Sequence, residues 1–188
     1  MINFRIVARA ISQVLIFEGF FLLLTAGVSL ITGERQTAAT FLYSAVITIV
    51  TGVLVFTPLR NTEKTYGTRE GYIISLCIFL IFSLFGTLPF LLGRFTHSFA
   101  DAFFESIAGF TTTNATIFHD VESLPRGILF WRSITQWIGG FITIALSLYV
   151  LPIVKSLNIQ LPTNEFSGQT ADKILPKTVD IAKSLATV

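Results

Sequence analysis

The sequence predicts an all-α integral membrane protein, with an N-terminal two-helix hairpin followed by one helix–re-entrant loop–helix unit. Composition is the first observation behind this. Of 188 residues, 52% are hydrophobic and 13% charged, where a soluble domain carries about 25% charged residues. The second is that the apolar residues gather into four runs long enough to cross a hydrocarbon core of about 30 Å. The third is one short apolar helix followed by an uncharged threonine-rich run, set between the last two long runs.

The first span covers about Ile11 to Ile31, interrupted by Ser12, Gln13 and Glu18. A polar turn, Thr32 to Gln36, leads to a second span from about Ala38 to Phe56, and Pro58 follows it. Together they form the hairpin, a unit within residues 1–60. The polar stretch Leu59 to Glu70 comes next. A third span runs from Gly71 to Leu92, with Gly86 and Pro89 near its far end. Ser98 to Gly109 then reads as a helix too short to cross: Ser98 is the N-cap, Asp101 lies in the first turn and Gly109 is the stop. The threonine run occupies 110–116. The fourth span, Leu124 to Val154, is about 45 Å long as a helix, so its first turns, with Arg126 and Arg132, are expected to snorkel at the outer interface. Trp131 and Trp137 suit that level. Residues 155–188 form a polar linker, and the apolar spacing of Val179, Ala182, Leu185 and Ala186 starts a helix with no cap, which predicts a continuing polypeptide.

Basic residues orient this layout. With the N-terminus inside, nine Lys and Arg fall on inner segments (Arg5, Arg9, Arg60, Lys64, Arg69, Lys155, Lys173, Lys177, Lys183). Four fall outside: Arg35, Arg94, Arg126 and Arg132. The positive-inside rule therefore predicts a cytoplasmic N-terminus and an outward-facing threonine run. A net charge of +2 gives no argument for nucleic acid. The single cysteine, Cys77, supports neither a disulfide framework nor a Cys/His metal site.

The chemistry concentrates in Gly109-Phe110-Thr111-Thr112-Thr113-Asn114-Ala115-Thr116. Read locally, threonines make external turns. Their setting suggests more, because non-helical backbone at membrane depth is tolerated only where it is buried or lines a water-filled path. The helix ahead of the run ends with partial negative charge, which favours a cation. Extended backbone over Thr111, Thr112, Thr113 and Asn114 would present carbonyl oxygens to replace an ion's hydration shell. Asn114 can take left-handed backbone angles. One such loop is a quarter of a ring.

Other residues carry weaker readings. Glu18, a charge inside a span, is either functional or protonated and bonded near the end of the hairpin, and is expected to lie away from the loop. Asp101 and Glu105, one turn apart, either attract cations or cap and bond to the fourth span. They do not form a catalytic pair, since no nucleophile or substrate site accompanies them. His97 and His119 read as solvated residues of the mouth rather than ligands. Gly139 and Gly140 allow close helix packing. No enzyme chemistry and no organic cofactor is indicated.

The run Asp101-Ala-Phe-Phe-Glu-Ser-Ile-Ala-Gly-Phe-Thr-Thr-Thr-Asn-Ala-Thr116, with Leu124-Pro-Arg-Gly-Ile-Leu-Phe-Trp-Arg-Ser133 and Gln136-Trp-Ile-Gly-Gly140, resembles the first pore repeat of the Trk/Ktr/HKT potassium-transporter superfamily. The likeness is greatest to its bacterial Trk-type membrane subunit. Arg69-Glu70-Gly71, Phe85-Gly86-Thr-Leu-Pro-Phe90 and Asp172-Lys-Ile-Leu-Pro-Lys177 match its motifs too. The resemblance implies a K+-channel-like, pseudo-fourfold assembly of four repeats, of which residues 69–154 are one. It implies a filter of Thr111, Thr112, Thr113 and Asn114, with K+ as the transported ion on the carbonyls of Thr112, Thr113 and Asn114. Gly109, Phe110, Ala115 and Glu105 would support it. It further implies a homodimer of the full-length subunit in the bacterial inner membrane, with a cytosolic nucleotide-binding regulatory subunit. The chain departs from the family pattern at Asn114, which stands where a filter glycine is usual. In plant relatives a serine at that glycine accompanies sodium transport. This leaves sodium or non-selective cation transport as an alternative, and an Asn114→Gly change would be expected to raise potassium preference. A homotetrameric channel and a non-conducting membrane fragment are the remaining alternatives.

Overall fold

The computed structural model describes residues 4–60 and 68–156. It is all-helical: α1 (Phe4–Ile31), α2 (Arg35–Leu59), α3 (Thr68–Gly86), α4 (Leu88–Leu92), α5 (Phe99–Phe110) and α6 (Arg126–Ser156). Residues to Ile142 form one compact unit, described below, and α6 continues past it to Ser156. The expected linker over 157–188, and the Asp172–Lys177 motif within it, lie outside the described residues, as does most of the polar stretch after α2.

α1 and α2 are long and apolar enough to cross a membrane. They form the hairpin, and small residues form its seam. Without a strong hydrophobic drive between helices in lipid, close packing needs small side chains. A Cβ on Gly19 would stand 2.3 Å from Ile49 Cγ1, and one on Gly52 would stand 3.1 Å from the Ser12 carbonyl oxygen. Ser and Thr on the seam satisfy their own hydroxyls: Thr25 donates to the Phe21 carbonyl, Ser29 to Thr25, Ser44 to Thr40 and Thr48 to Ser44. Buried hydroxyls therefore cost little. The opposite faces carry exposed Phe17, Phe20, Leu23, Leu24, Leu42, Val46, Val50 and Leu54, a surface suited to lipid.

The hairpin turn closes as a Schellman motif. Glu34 N–H donates to the Ser29 carbonyl at 2.9 Å and Gly33 N–H to that of Leu30 at 3.1 Å, with Gly33 left-handed at φ 82°. Glycine takes that angle without penalty.

The third span differs from the single helix expected over 71–92. It breaks at Thr87 into α3 and the short α4. Pro89 accounts for the break, since it has no N–H to donate and its ring crowds the carbonyl four residues earlier.

The core is a line of aromatic rings drawn from four helices. Phe82 of α3 stacks on Phe110 of α5 with centroids 5.0 Å apart. Phe110 meets Trp131 of α6 edge-on at 6.3 Å. Trp131 meets Phe41 of α2 at 6.1 Å. Edge-to-face contacts of this spacing add to simple burial. Trp131 is thus 0% exposed: its ring packs against α5 and α2 and is not a lipid-facing anchor, since its position on α6 faces Phe110 and Phe41. Trp137, in contrast, is 62% exposed.

Candidate cation-binding loop

α5 and the loop after it are built by local chemistry and then clamped by α6. Ser98 caps α5 as expected: its Oγ accepts the Asp101 N–H at 3.1 Å. The other end differs from expectation. Helix continues past Gly109 to Phe110, and the left-handed position falls on Thr112 at φ 58°. Thr113 N–H donates to the Ala108 carbonyl at 3.1 Å and Thr112 N–H to that of Gly109 at 3.0 Å. This is the same motif that closes the hairpin at Gly33, now with a β-branched residue where glycine is comfortable. Left-handed backbone at such a residue is an outlier and costs about 1–2 kcal/mol. Thr111 and Thr112 are therefore a helix cap rather than extended strand, and irregular backbone begins only at Thr113. Gly109 serves a different purpose from a stop, because a Cβ there would meet Thr135 Oγ1 at 2.3 Å.

The hydroxyls of Thr111 and Thr113 are turned back onto α5. Thr111 Oγ1 donates to the Ile107 carbonyl at 2.6 Å and Thr113 Oγ1 to that of Ala108 at 3.2 Å. The main-chain carbonyls of Thr112, Thr113 and Asn114 accept no hydrogen bond among the described residues. All of Thr111 to Thr116 are solvent-exposed. Asn114 is left-handed at φ 56°, and its Oδ1 accepts a hydrogen bond from Gln136 Nε2 at 2.7 Å.

Glu105 secures the far end of the loop. It is 4% exposed. Its Oε1 accepts from Thr116 Oγ1 at 2.5 Å and from the Ile117 N–H at 2.6 Å. Its Oε2 pairs with Arg132 Nη1. The same guanidinium donates to Thr116 Oγ1 at 3.2 Å and sits over the Phe118 ring. Arg132 is therefore not a snorkelling interface residue. A buried carboxylate without a cation would be costly, and Arg132 is the cation within reach.

Gly139 brings α6 onto the cap. A Cβ there would lie 2.0 Å from the Phe110 carbonyl oxygen, so only glycine fits. At Gly140 the same test gives an ordinary 3.9 Å contact with Thr112 Cγ2. Ala115 is exposed in the loop, as are His97 and His119. Glu18, expected to be remote, lies beside this unit: a Cβ on Gly86 would be 3.5 Å from its Oε1 and 2.8 Å from Phe110 Cε2.

The sequence points to Glu105, Asn114 and Gly109 but not to their partners: Arg132 and Thr116 for Glu105, Gln136 for Asn114 and Thr135 for Gly109. A signal was present. Arg132, Thr135, Gln136 and Gly139 recur at three- and four-residue spacing, the mark of one helix face.

Three comparisons bear on what this unit belongs to. A family model described as a cation transport protein, TrkH, matches residues 36–188. The Trk system potassium uptake protein TrkH of Halomonas elongata is 32% identical over 185 residues, covering 97% of this chain and 38% of that protein. TrkH of Escherichia coli K12 is 31% identical over the same extent. TrkG of Escherichia coli K12 is 37% identical over 120 residues, 63% of this chain. The crystal structure of the potassium transporter TrkH from Vibrio parahaemolyticus superposes with a TM-score of 0.80 at 27% identity, covering 99% of this chain and 36% of that one. The chain thus spans 38% of the length of the curated TrkH relatives. A family model over most of the sequence, with relatives above 30% identity over nearly all of it, settles the assignment: this helical membrane chain belongs to the TrkH family of cation transport proteins, which are transporters and not enzymes.

Proposed function

We propose that this chain contributes one quarter of a potassium-conducting pathway. Thr111 to Asn114 form a filter segment, and K+ moves through it passively. The observation that carries the reading is the clamped cap: α5 ends on the exposed residues Thr112, Thr113 and Asn114, whose carbonyls accept no hydrogen bond among the described residues, and α6 holds this end through Gln136 and Gly139 while Glu105 holds the loop beyond it. Carbonyls held in place without internal partners can replace a hydration shell. The relatives' names as potassium uptake proteins support potassium as the ion.

In this reading residues 1–60 are an accessory hairpin and 69–154 one pore repeat. The other three quarters of the ring come from further repeats of the same subunit. The subunit is a homodimer in the bacterial plasma membrane, its N-terminus cytoplasmic, and it binds a cytosolic nucleotide-binding regulatory partner. Nine inward against four outward basic residues support the orientation.

The test is potassium uptake by a cell lacking its own uptake systems and carrying the full-length subunit with the regulatory partner. Growth at low potassium is expected. No rescue with intact membrane expression overturns the reading.

Sodium or non-selective transport is the second reading, and Asn114 motivates it. Two facts favour potassium instead. Asn114 adopts the left-handed backbone that glycine would supply, and its side chain is engaged by Gln136. Asn114→Gly is then expected to keep the potassium-to-sodium permeability ratio within about twofold, since one neutral hydrogen bond is all it removes. A rise of tenfold or more supports the second reading.

A further inference from the structure

Glu18 lies mid-way along α1 and is 0% exposed. Neither of its carboxyl oxygens has a hydrogen-bond partner among the described residues, and the same is true of Ser106 Oγ on α5. These orphaned groups lie against the same side of Gly86. A Cβ built on Gly86 of α3 would stand 3.5 Å from Glu18 Oε1 and 2.5 Å from Ser106 Oγ. The bare flank of Gly86 is therefore bordered by a carboxyl from the hairpin and a hydroxyl from the helix that carries the loop.

Buried polar groups in native proteins have partners, commonly an ordered water. Glu18 and Ser106 make no direct bond to each other. Their distances from that one Cβ point keep the two oxygens within about 6 Å of each other, a gap that one water can bridge with two hydrogen bonds of about 2.8 Å. The water donates a proton to a Glu18 carboxyl oxygen and accepts the Ser106 O–H. Three oxygens, two of them from one carboxyl, are too few for a bare metal cation, since hard cations take about six. Phe110 Cε2, which would lie 2.8 Å from the same Cβ, closes the apolar side of the space.

We propose that Glu18 and Ser106 hold one bridging water against Gly86, and that this link makes Glu18 a positioning residue for the pore helix α5. Ser106 follows Glu105, whose carboxylate holds the loop at Thr116 and Ile117. A rotation of α5 that breaks the bridge also turns that carboxylate. The water site stands on the buried atoms alone. The positioning role rests on the conduction proposed above.

Two measurements on the full-length subunit test the two parts. In detergent, the infrared carboxyl band of Glu18 is identified by its loss in Glu18→Gln. That band is expected to shift in Ser106→Ala, and an O–H stretching band of the bound water, recognised by its downshift in H2(18)O, is expected to vanish in the same variant. A carboxyl band unmoved by Ser106→Ala, or the absence of any such water band, overturns the bridged site, whatever the transport result. In cells, Glu18→Leu and Ser106→Ala are each expected to slow potassium uptake about tenfold, the cost of one orphaned buried group. Glu18→Gln keeps its hydrogen-bonding shape and is expected to stay within about twofold of the parent. Because both residues hold the same water, the double change is expected to be no slower than either single change. Multiplying losses, or a glutamine no better than leucine, overturn the positioning role. Ser106→Ala removes one atom and carries the cellular test if Glu18→Leu does not express. A parent subunit that moves no potassium removes the conduction reading and the positioning role, while the band still decides the site.

Discussion

Glu34, in the hairpin turn, caps the helix that begins at Arg126. Its Oε1 accepts the Arg126 N–H at 2.7 Å and its Oε2 the Gly127 N–H at 3.1 Å. A carboxylate at a helix N-terminus satisfies orphaned donors and meets the positive end of the helix dipole. Here the cap comes from an accessory hairpin and not from the helix's own sequence. Gly127 permits the approach, since a Cβ there would lie 2.1 Å from Ser29 Oγ. Glu34→Ala is expected to cost about 1–2 kcal/mol. The measurement is thermal unfolding in detergent, with hydrogen exchange at Arg126 and Gly127 as the local readout. Unchanged exchange at both amides would show that the cap contributes nothing.

The Glu105–Arg132 pair predicts an asymmetric double-mutant cycle. Arg132→Met leaves a buried carboxylate without its cation and is expected to destabilise by about 3–5 kcal/mol. Adding Glu105→Gln is expected to recover part of that loss, because the amide no longer needs the cation. Arg132→Lys is expected to fall between, keeping the charge but losing the planar guanidinium that lies over Phe118. Denaturation of the purified variants checks the order. A double variant less stable than Arg132→Met would contradict it.

The adjacent glycines of α6 should respond in opposite ways. Gly139→Ala forces a methyl into the Phe110 carbonyl. Overpacking of that kind costs about 1–3 kcal/mol or displaces the cap. Gly140→Ala meets only an ordinary contact, and better helix propensity is expected to make it neutral or slightly stabilising, by up to about 1 kcal/mol. Potassium uptake at matched expression is expected to fall at least tenfold in the first and to hold in the second. Equal loss in both would mean that α6 tolerates no change here for reasons other than the Phe110 contact.

Thr112 offers a test of strain. Thr112→Gly removes the left-handed penalty but loosens the unfolded chain, so the two effects nearly offset and stability is expected to change by less than about 1 kcal/mol. Thr112→Val keeps the branch and loses the hydroxyl, and is expected to behave as the parent does. A large loss in the glycine variant, read as a lowered melting temperature, would mean that the Thr112 side chain holds the cap.

What was legible in the sequence was whatever local chemistry decides. The hairpin, the Ser98 cap and the left-handed capacity of Asn114 follow from residue type and spacing. What was not legible depends on partners far along the chain. Arg132 read as an interface residue because its carboxylate lies on another helix. Trp131 read the same way because Phe41 and Phe110 are distant in sequence. Glu18 read as remote because only the fold brings Gly86 and Ser106 to it. The cap at Thr112 was missed for a different reason: Gly109 is the better local stop, and tertiary contact with Thr135 has claimed it.

The aromatic line has a consequence for how the chain is made. Phe41, Phe82 and Phe110 leave the ribosome before Trp131, yet Trp131 is the ring that joins Phe41 to Phe110. Chains emerge at roughly 5–20 residues per second. The hairpin must therefore wait several seconds in the bilayer, complete in its own seam, before α6 arrives. Its hydroxyls, turned back on their own carbonyls, let it wait without seeking other partners. The core of this unit then closes with a single docking event, and a ribosome stalled before Trp131 should leave the hairpin and α5 sharing a membrane but not a core.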